Sequence, residues 1–324
     1  MVAYFFQPLV VVPPPSAAPV RLPVKKLLLL LGVVGTLYAA ALLLWGGSPS
    51  TSLAPLGSWV GLQAAALCGL NYALRGWRWR GWMTHYGRHF GRWQGLRLYL
   101  AGYAFTPTPG NVGEAVRGLM LAELPLSTAQ GLAIFGAERL ADLLCLLLLC
   151  VPALVWVVGQ GLVPSAPAWL GGVLLGVAGL ALGTMGILFV FRARLLARVG
   201  WLAEAWACLA LRPAVWLGLT LLAWAAQGLA VWLLCRAMGL DLPVLLAAGF
   251  YAAAMVAGAL SVLPAGLGGT EAALTGLLVA YGASAAVALA ITVLARLLTL
   301  WLAVGLGVLS LVYSAAIPKD IRFS

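Results

Sequence analysis

Phe105-Thr-Pro-Thr-Pro-Gly-Asn-Val-Gly-Glu-Ala-Val-Arg117 and Leu263-Pro-Ala-Gly-Leu-Gly-Gly-Thr-Glu271 are two Pro/Gly-rich interruptions in apolar sequence. An offset of 157 residues superposes them, with Glu114 on Glu271, Ala115 on Ala272 and Pro107 on Pro264. The register continues without a gap on both sides. Trp59 meets Trp216, Ser127 meets Ser284, Leu132-Ala133-Ile134 meets Leu289-Ala290-Ile291, and Arg139-Leu140 meets Arg296-Leu297. Leu and Ala coincide cheaply in such a composition. Glu, Arg, Ser and Pro do not, so the chain reads as an internal duplication.

Of 324 residues, 64% are apolar and 8% charged, with a mean hydropathy of +1.05. A soluble domain carries about 25% charged residues. The polar surface cannot coat a soluble globule, so lipid is the solvent. Leu27 to Trp45 is a run of 19 residues without a charge, enough to cross roughly 30 Å of hydrocarbon. Similar apolar segments lie at about 56–74, 140–158, 169–191, 214–235, 245–263 and 285–313, the last interrupted by one arginine. Residues 1–26, with the Pro-rich stretch Pro8 to Pro23, read as a flexible arm. Arg21, Lys25 and Lys26 imitate a signal peptide with Ala39-Ala40-Ala41 as cleavage site, but the run is longer than a usual signal core, so a retained helix is expected.

The apolar pieces beside each interruption are about ten residues, half a membrane in helix rise. Proline removes an N–H and glycine permits reversal. Each interruption therefore reads as the tip of a re-entrant hairpin. The first spans about 96–122, with Pro107, Pro109, Gly110 and Gly113 at its tip; the second spans about 245–281, with Pro264, Gly266, Gly268, Gly269 and Thr270. Three crossings plus one hairpin per copy invert the second copy. The expected fold is an all-α polytopic membrane protein of two inverted-topology repeats, 27–160 and 161–316, with a tail at 317–324.

Nineteen Lys and Arg give a net charge of +11. Arg75, Arg78, Arg80, Arg88, Arg92 and Arg97 follow the second run; Arg192, Arg194, Arg198 and Arg212 follow the fourth; Lys319 and Arg322 follow the last. The loops 46–57 and 159–168 contain none. The positive-inside rule then places both termini in the cytoplasm, in a multi-pass protein of the inner membrane. Arg75-Gly-Trp-Arg-Trp-Arg-Gly-Trp82 reads as a headgroup interface, not as a nucleic-acid site. His85 and His89 read as an interfacial pair without a third metal ligand, and the five scattered cysteines as packing residues. No cofactor is expected.

Charges inside spans cost about 2.5–3.5 kcal/mol each on insertion scales. Glu114, Arg117, Glu138, Arg139, Asp142, Glu271 and Arg296 should therefore converge on the interior or a wet cavity. Glu114 and Glu271 follow glycine-rich reversals, where a carboxylate caps a broken helix. The same tips, with Asn111, Arg117, Arg139 and Arg296, could hold an anionic head group. Arg139 lies 25 residues after Glu114, and Arg296 after Glu271, so an ion pair should join each hairpin to the next helix. Arg139 and Asp142 can pair at i,i+3. Glu138 and Asp142 share a face at i,i+4, either sharing a proton or lying in a satisfied ion network.

Arg75-Gly-Trp-Arg-Trp79, Pro109-Gly-Asn-Val-Gly-Glu-Ala-Val-Arg117, Ala137-Glu-Arg-Leu-Ala-Asp142, Leu263 to Glu271 and Arg296 together resemble the lysylphosphatidylglycerol synthase transmembrane-domain family, from about Lys26 to Tyr313. The resemblance implies movement of lipids or lipid-linked head groups between leaflets, with substrates such as anionic phospholipids, polyprenyl-linked sugars or hopanoid-type lipids. In its best-known members the module is fused to a soluble domain that aminoacylates phosphatidylglycerol. This chain is expected to lack that domain and to be a lipid flippase, not an enzyme. The alternatives are an intramembrane lipid-modifying enzyme using Glu114, Glu138 and Asp142, or an accessory subunit of envelope biosynthesis. The Gly-rich run Gly171 to Gly186 permits close packing within one chain or between copies in a homo-oligomer.

Overall fold

A computed structural model describes residues 53–89, 91–108, 114–115, 117, 126–159, 200–261 and 263–316, together with Gly32 and Thr36. The described residues are helical, without strands. In chain order the helices are α1 (Trp59–His85), α2 (Arg92–Gly102), α3 (Thr128–Leu149), α4 (Val151–Gly159), α5 (Gly200–Ala210), α6 (Pro213–Ala237), α7 (Val244–Leu260), α8 (Gly269–Ala280), α9 (Ala285–Arg296) and α10 (Leu302–Ala316). A 3₁₀ turn over Tyr103–Phe105 prolongs α2, another over Pro264–Gly266 lies between α7 and α8, and a π turn over Leu297–Trp301 joins α9 to α10.

The helix starts follow local chemistry. Ser127 Oγ accepts from Gln130 N at 3.2 Å while Gln130 Oε1 accepts from Ser127 N at 3.1 Å, closing a capping box at α3. Ser284, its mate at the 157-residue offset, caps α9 by accepting from Val287 N at 3.3 Å. Pro213 opens α6, its missing N–H costing nothing at a first turn. The same offset brings α1 onto α6, α2 onto α7, and α3 onto α9 and its continuation.

Among the described residues, three segments are long and apolar enough to cross a membrane: Thr128–Gly159, Pro213–Ala237 and Ala285–Ser314. α1 is equally long at 27 residues, a rise of roughly 40 Å, but it carries Arg75, Arg78 and Arg80. The run expected at 56–74 thus does not stop at the arginines; its helix continues to His85. The run expected at 140–158 starts earlier, at Thr128. The run at 245–263 is a shorter helix ending at Leu260. Leu27–Trp45 apart from Gly32 and Thr36, 169–191, the expected tip residues Pro109, Gly110, Asn111 and Gly113, and the tail at 317–324 lie outside the described residues.

Among the described residues, α1 and α6 form the most extensive helix pair. Around it the packing is reciprocal: α2 and its 3₁₀ turn lie on α10, whereas α7 lies on α3 and α4. The two short helices that correspond at the 157-residue offset, α2 and α7, thus each lean on a long apolar segment elsewhere in the chain. Both contacts use a glycine. A Cβ on Gly307 would meet Tyr103 C at 2.8 Å and Leu100 O at 2.9 Å, and one on Gly249 would meet Ala153 N at 2.9 Å.

The polarity is the reverse of a soluble globule. Leu309 is 67% exposed and Leu222 61%, while Arg75, Arg78, Glu114, Arg117, Glu138, Asp142 and Arg296 are all buried. Water as solvent would require the opposite arrangement; lipid requires this one. The protein is integral to a membrane. All five cysteines are free, with Cys68, Cys145, Cys208 and Cys235 buried and Cys150 half-buried, as packing residues should be.

Candidate functional site

α1, α3 and the segment after α2 bring seven charged side chains together. Asp142 on α3 accepts from Arg75 Nη2 at 2.6 Å and Arg78 Nη1 at 2.8 Å, both from α1, and from Trp224 Nε1 at 3.3 Å. Arg75 and Arg78 can reach it together because they are one helical turn apart on one face. Arg78 also donates to Thr220 Oγ1 at 2.7 Å and lies 3.7 Å from Glu138. Arg117 pairs with Glu114 at 2.5 Å and with Glu138 at 3.5 Å. Its guanidinium stacks on Tyr99, 4.3 Å from the ring centre. Gly102 makes the room, since a Cβ there would lie 2.6 Å from Arg117 Nε.

Arg139 closes the network, reaching Glu114 at 3.4 Å and Asp142 at 3.3 Å. Its side chain is 30% exposed, against 2% for Arg117 and 0% for Arg78. A small cleft of about 10 Å³, room for about one water, borders the network and is lined by residues that include Trp79, Glu114, Arg117, Phe135 and Glu138. Among the described residues, four guanidinium groups here face three carboxylates. The Nε atoms of Arg75, Arg78 and Arg139 are buried and donate to nothing described.

The second half holds a smaller, balanced counterpart. Arg296 Nε donates to Glu271 Oε1 at 2.7 Å, and Arg296 Nη2 to the carbonyl of Ala265 at 2.8 Å. Glu271 Oε2 also accepts from Gly268 N at 2.7 Å, capping α8. The tip needs these ties. Ala265 has φ 54°, a left-handed conformation uncommon outside glycine, followed by Gly266 at 66° and Gly268 at 84°. Gly258 and Gly269 let α7 and α8 close, because a Cβ on Gly258 would run into Thr270 Oγ1.

Both expected pairs at a spacing of 25 residues are therefore formed, as is the Arg139–Asp142 pair. The two acids differ in role. Glu271 caps a helix, whereas Glu114 accepts from Thr106 Oγ1 at 2.8 Å and is gripped by two arginines. Glu138 and Asp142 are each paired with guanidinium groups and share Arg78, so both belong to one ion network. Arg75 and Arg78, read as headgroup residues, are instead buried in this network. Asn111 lies outside the described residues, and Pro107 precedes the acid in the segment after α2. His85 ends α1 and His89 lies beyond it, so no helix turn aligns them, and no group of three metal-ligating side chains occurs among the described residues.

A buried ion network inside an all-helical, lipid-facing bundle defines a polytopic membrane protein built around internal charge. The chain matches the family described as Lysylphosphatidylglycerol synthase TM region over residues 28–307, and it belongs to that family. No match was found among curated proteins or among solved structures.

Proposed function

We propose that this protein moves an anionic lipid, or the anionic head group of a lipid-linked carrier, between leaflets and catalyses no covalent step. The observation that carries the reading is the surplus of guanidinium over carboxylate in a buried network whose most exposed cation is Arg139. A buried charge without a partner is costly. Phosphate, with several acceptor oxygens, offers the three uncommitted Nε donors what the protein does not.

In this reading the chain is two inverted-topology repeats, 27–160 and 161–316, with re-entrant hairpins opening to opposite sides. The reciprocal packing of α2 on α10 and of α7 on α3 supports it, since a two-fold relation between halves generates such paired contacts. Paired broken helices at equivalent positions mark a central transport site in other folds. Glu114, Arg117, Glu138, Arg139 and Asp142 would bind the head group; Glu271 and Arg296 would hold the second tip. The basic residues favour cytoplasmic termini in the inner membrane.

The test is reconstitution into liposomes with fluorescent anionic and zwitterionic lipids, scored by a leaflet-specific quencher. Protein-dependent exchange that favours anionic lipid and falls in Arg139→Gln is expected. Absence of exchange across lipid classes rejects the proposal. Product formation from lipid by the purified chain would instead favour an intramembrane enzyme, and restoration of a partner's activity without exchange an accessory subunit.

A further inference from the structure

The segment Ala285–Ser314 touches both halves of the molecule, and its backbone changes winding between the two contacts. On one side, Arg296 at the end of α9 ties down the second tip through Ala265 O and Glu271. On the other, Gly307 of α10 lies directly against the backbone of Tyr103 and Leu100. Between them Leu297–Trp301 is π-helical, beginning at the residue after Arg296. A π turn holds one residue more than an α-helix accommodates and displaces carbonyls from their regular partners. In lipid, such a carbonyl needs another donor.

Tyr72 supplies that donor from α1. Its buried hydroxyl lies 2.8 Å from Leu298 O and 3.2 Å from Thr299 O. The equivalent stretch in the first half, 140–144, lies inside the uninterrupted helix α3. The device is therefore present in one half only.

We infer that this π turn is a migrating hinge that releases Arg296 from the second tip, and that Tyr72 is the latch holding it engaged. A π turn can pass along a helix one residue at a time, turning each residue it passes by about 100° while the flanks stay docked. One step toward the N-terminus passes over Arg296 and carries its guanidinium off Ala265 O and Glu271. The left-handed tip then loses its anchor while α10 keeps its seat on α2. The use of this motion rests on the transport reading, but its existence does not.

Hydrogen exchange read by mass spectrometry, on the full chain in lipid nanodiscs, tests it without substrate. Tyr72→Phe removes one hydroxyl hydrogen bond, so exchange across 263–271 should rise roughly two- to tenfold. Deleting Leu300 makes the span regular with both flanks in their present register, and exchange there should fall. Equal exchange at 263–271 in the parent and Tyr72→Phe overturns the hinge, whether or not the deletion variant folds. Lipid exchange is measured on the same samples. Altered hydrogen exchange without lipid movement in the parent would sink the transport proposal and leave the hinge standing; lipid movement with unaltered hydrogen exchange does the reverse.

Discussion

Asp142→Asn removes the acid on which α1 and α3 are joined. The carboxylate accepts from Arg75 and Arg78 at 2.6 and 2.8 Å on different oxygens, and lies 3.3 Å from Arg139. Asparagine keeps one acceptor oxygen and turns the other position into a donor, which faces a guanidinium. Arg78 retains Glu138 at 3.7 Å, and Arg139 retains Glu114, but Arg75 is left with the Tyr103 hydroxyl at 3.2 Å as its remaining hydrogen bond among the described residues. Stranding one buried charge costs about 3–5 kcal/mol. At the scaling for larger domains this lowers Tm by roughly 6–20 °C. The assay is thermal unfolding of the detergent-solubilised protein, followed by tryptophan fluorescence and by the monodisperse fraction. Exposed Asp241→Asn is the control for loss of a carboxylate. Asp142→Asn/Arg75→Gln should recover part of the loss, because the stranded cation goes with its partner. A single variant that melts with the parent, or a double variant no better than the single, would refute the account of this network as paired buried charge.

Arg139→Gln should behave differently, since its side chain is 30% exposed and its two acids keep other partners: stability within about 1 kcal/mol of the parent, with anionic lipid exchange reduced at least about tenfold if this exposed cation draws the head group. Gly102→Ala pushes against the Arg117 guanidinium and should cost about 1–3 kcal/mol; Gly69→Ala, which meets nothing within 4 Å, should not, and thermal melts compare the two. Gly307→Ala forces α10 off the α2 backbone and should cost a similar amount, about 1–3 kcal/mol, in the same melts. Under a membrane-permeant maleimide, Cys150 should label first and Cys68, Cys145, Cys208 and Cys235 only on unfolding, as read by peptide mass spectrometry.

The capped turn between α7 and α8 was legible because its determinants are local and repeated. Glu271 caps the helix it begins, and Arg296 sits where the offset from Arg139 places it. Ser127 and Ser284, matched at the offset, prove to open two equivalent helices. Arg75 and Arg78 were not legible from their surroundings. A hydropathy run ends at the first charge, whereas a helix ends at a stop signal, and α1 meets none before Gly87 with φ 72°. Their partners lie on another helix, 67 and 64 residues away. A signal did exist: two arginines three apart, and two acids four apart on a later helix, each needing a buried partner. The contrast between Glu114 and Glu271 could not be read from identical letters, because Thr106 and Arg117, which hold Glu114, have no polar counterparts at the offset positions Leu263 and Leu274.

The distance along the chain between those arginines and their acid has a bearing on biogenesis. α1 leaves the ribosome carrying Arg75 and Arg78, whose insertion into hydrocarbon is opposed by about 2.5–3.5 kcal/mol each. Asp142 follows Arg78 by 64 residues, which at roughly 5–20 residues per second is a delay of about 3–13 s. During that interval the lower half of α1 has a reason to wait at the protein-lined insertion channel or the headgroup layer. Its arginines gain their buried acid only when α3 arrives, an order that favours docking of later helices onto earlier ones over insertion strictly in order of synthesis.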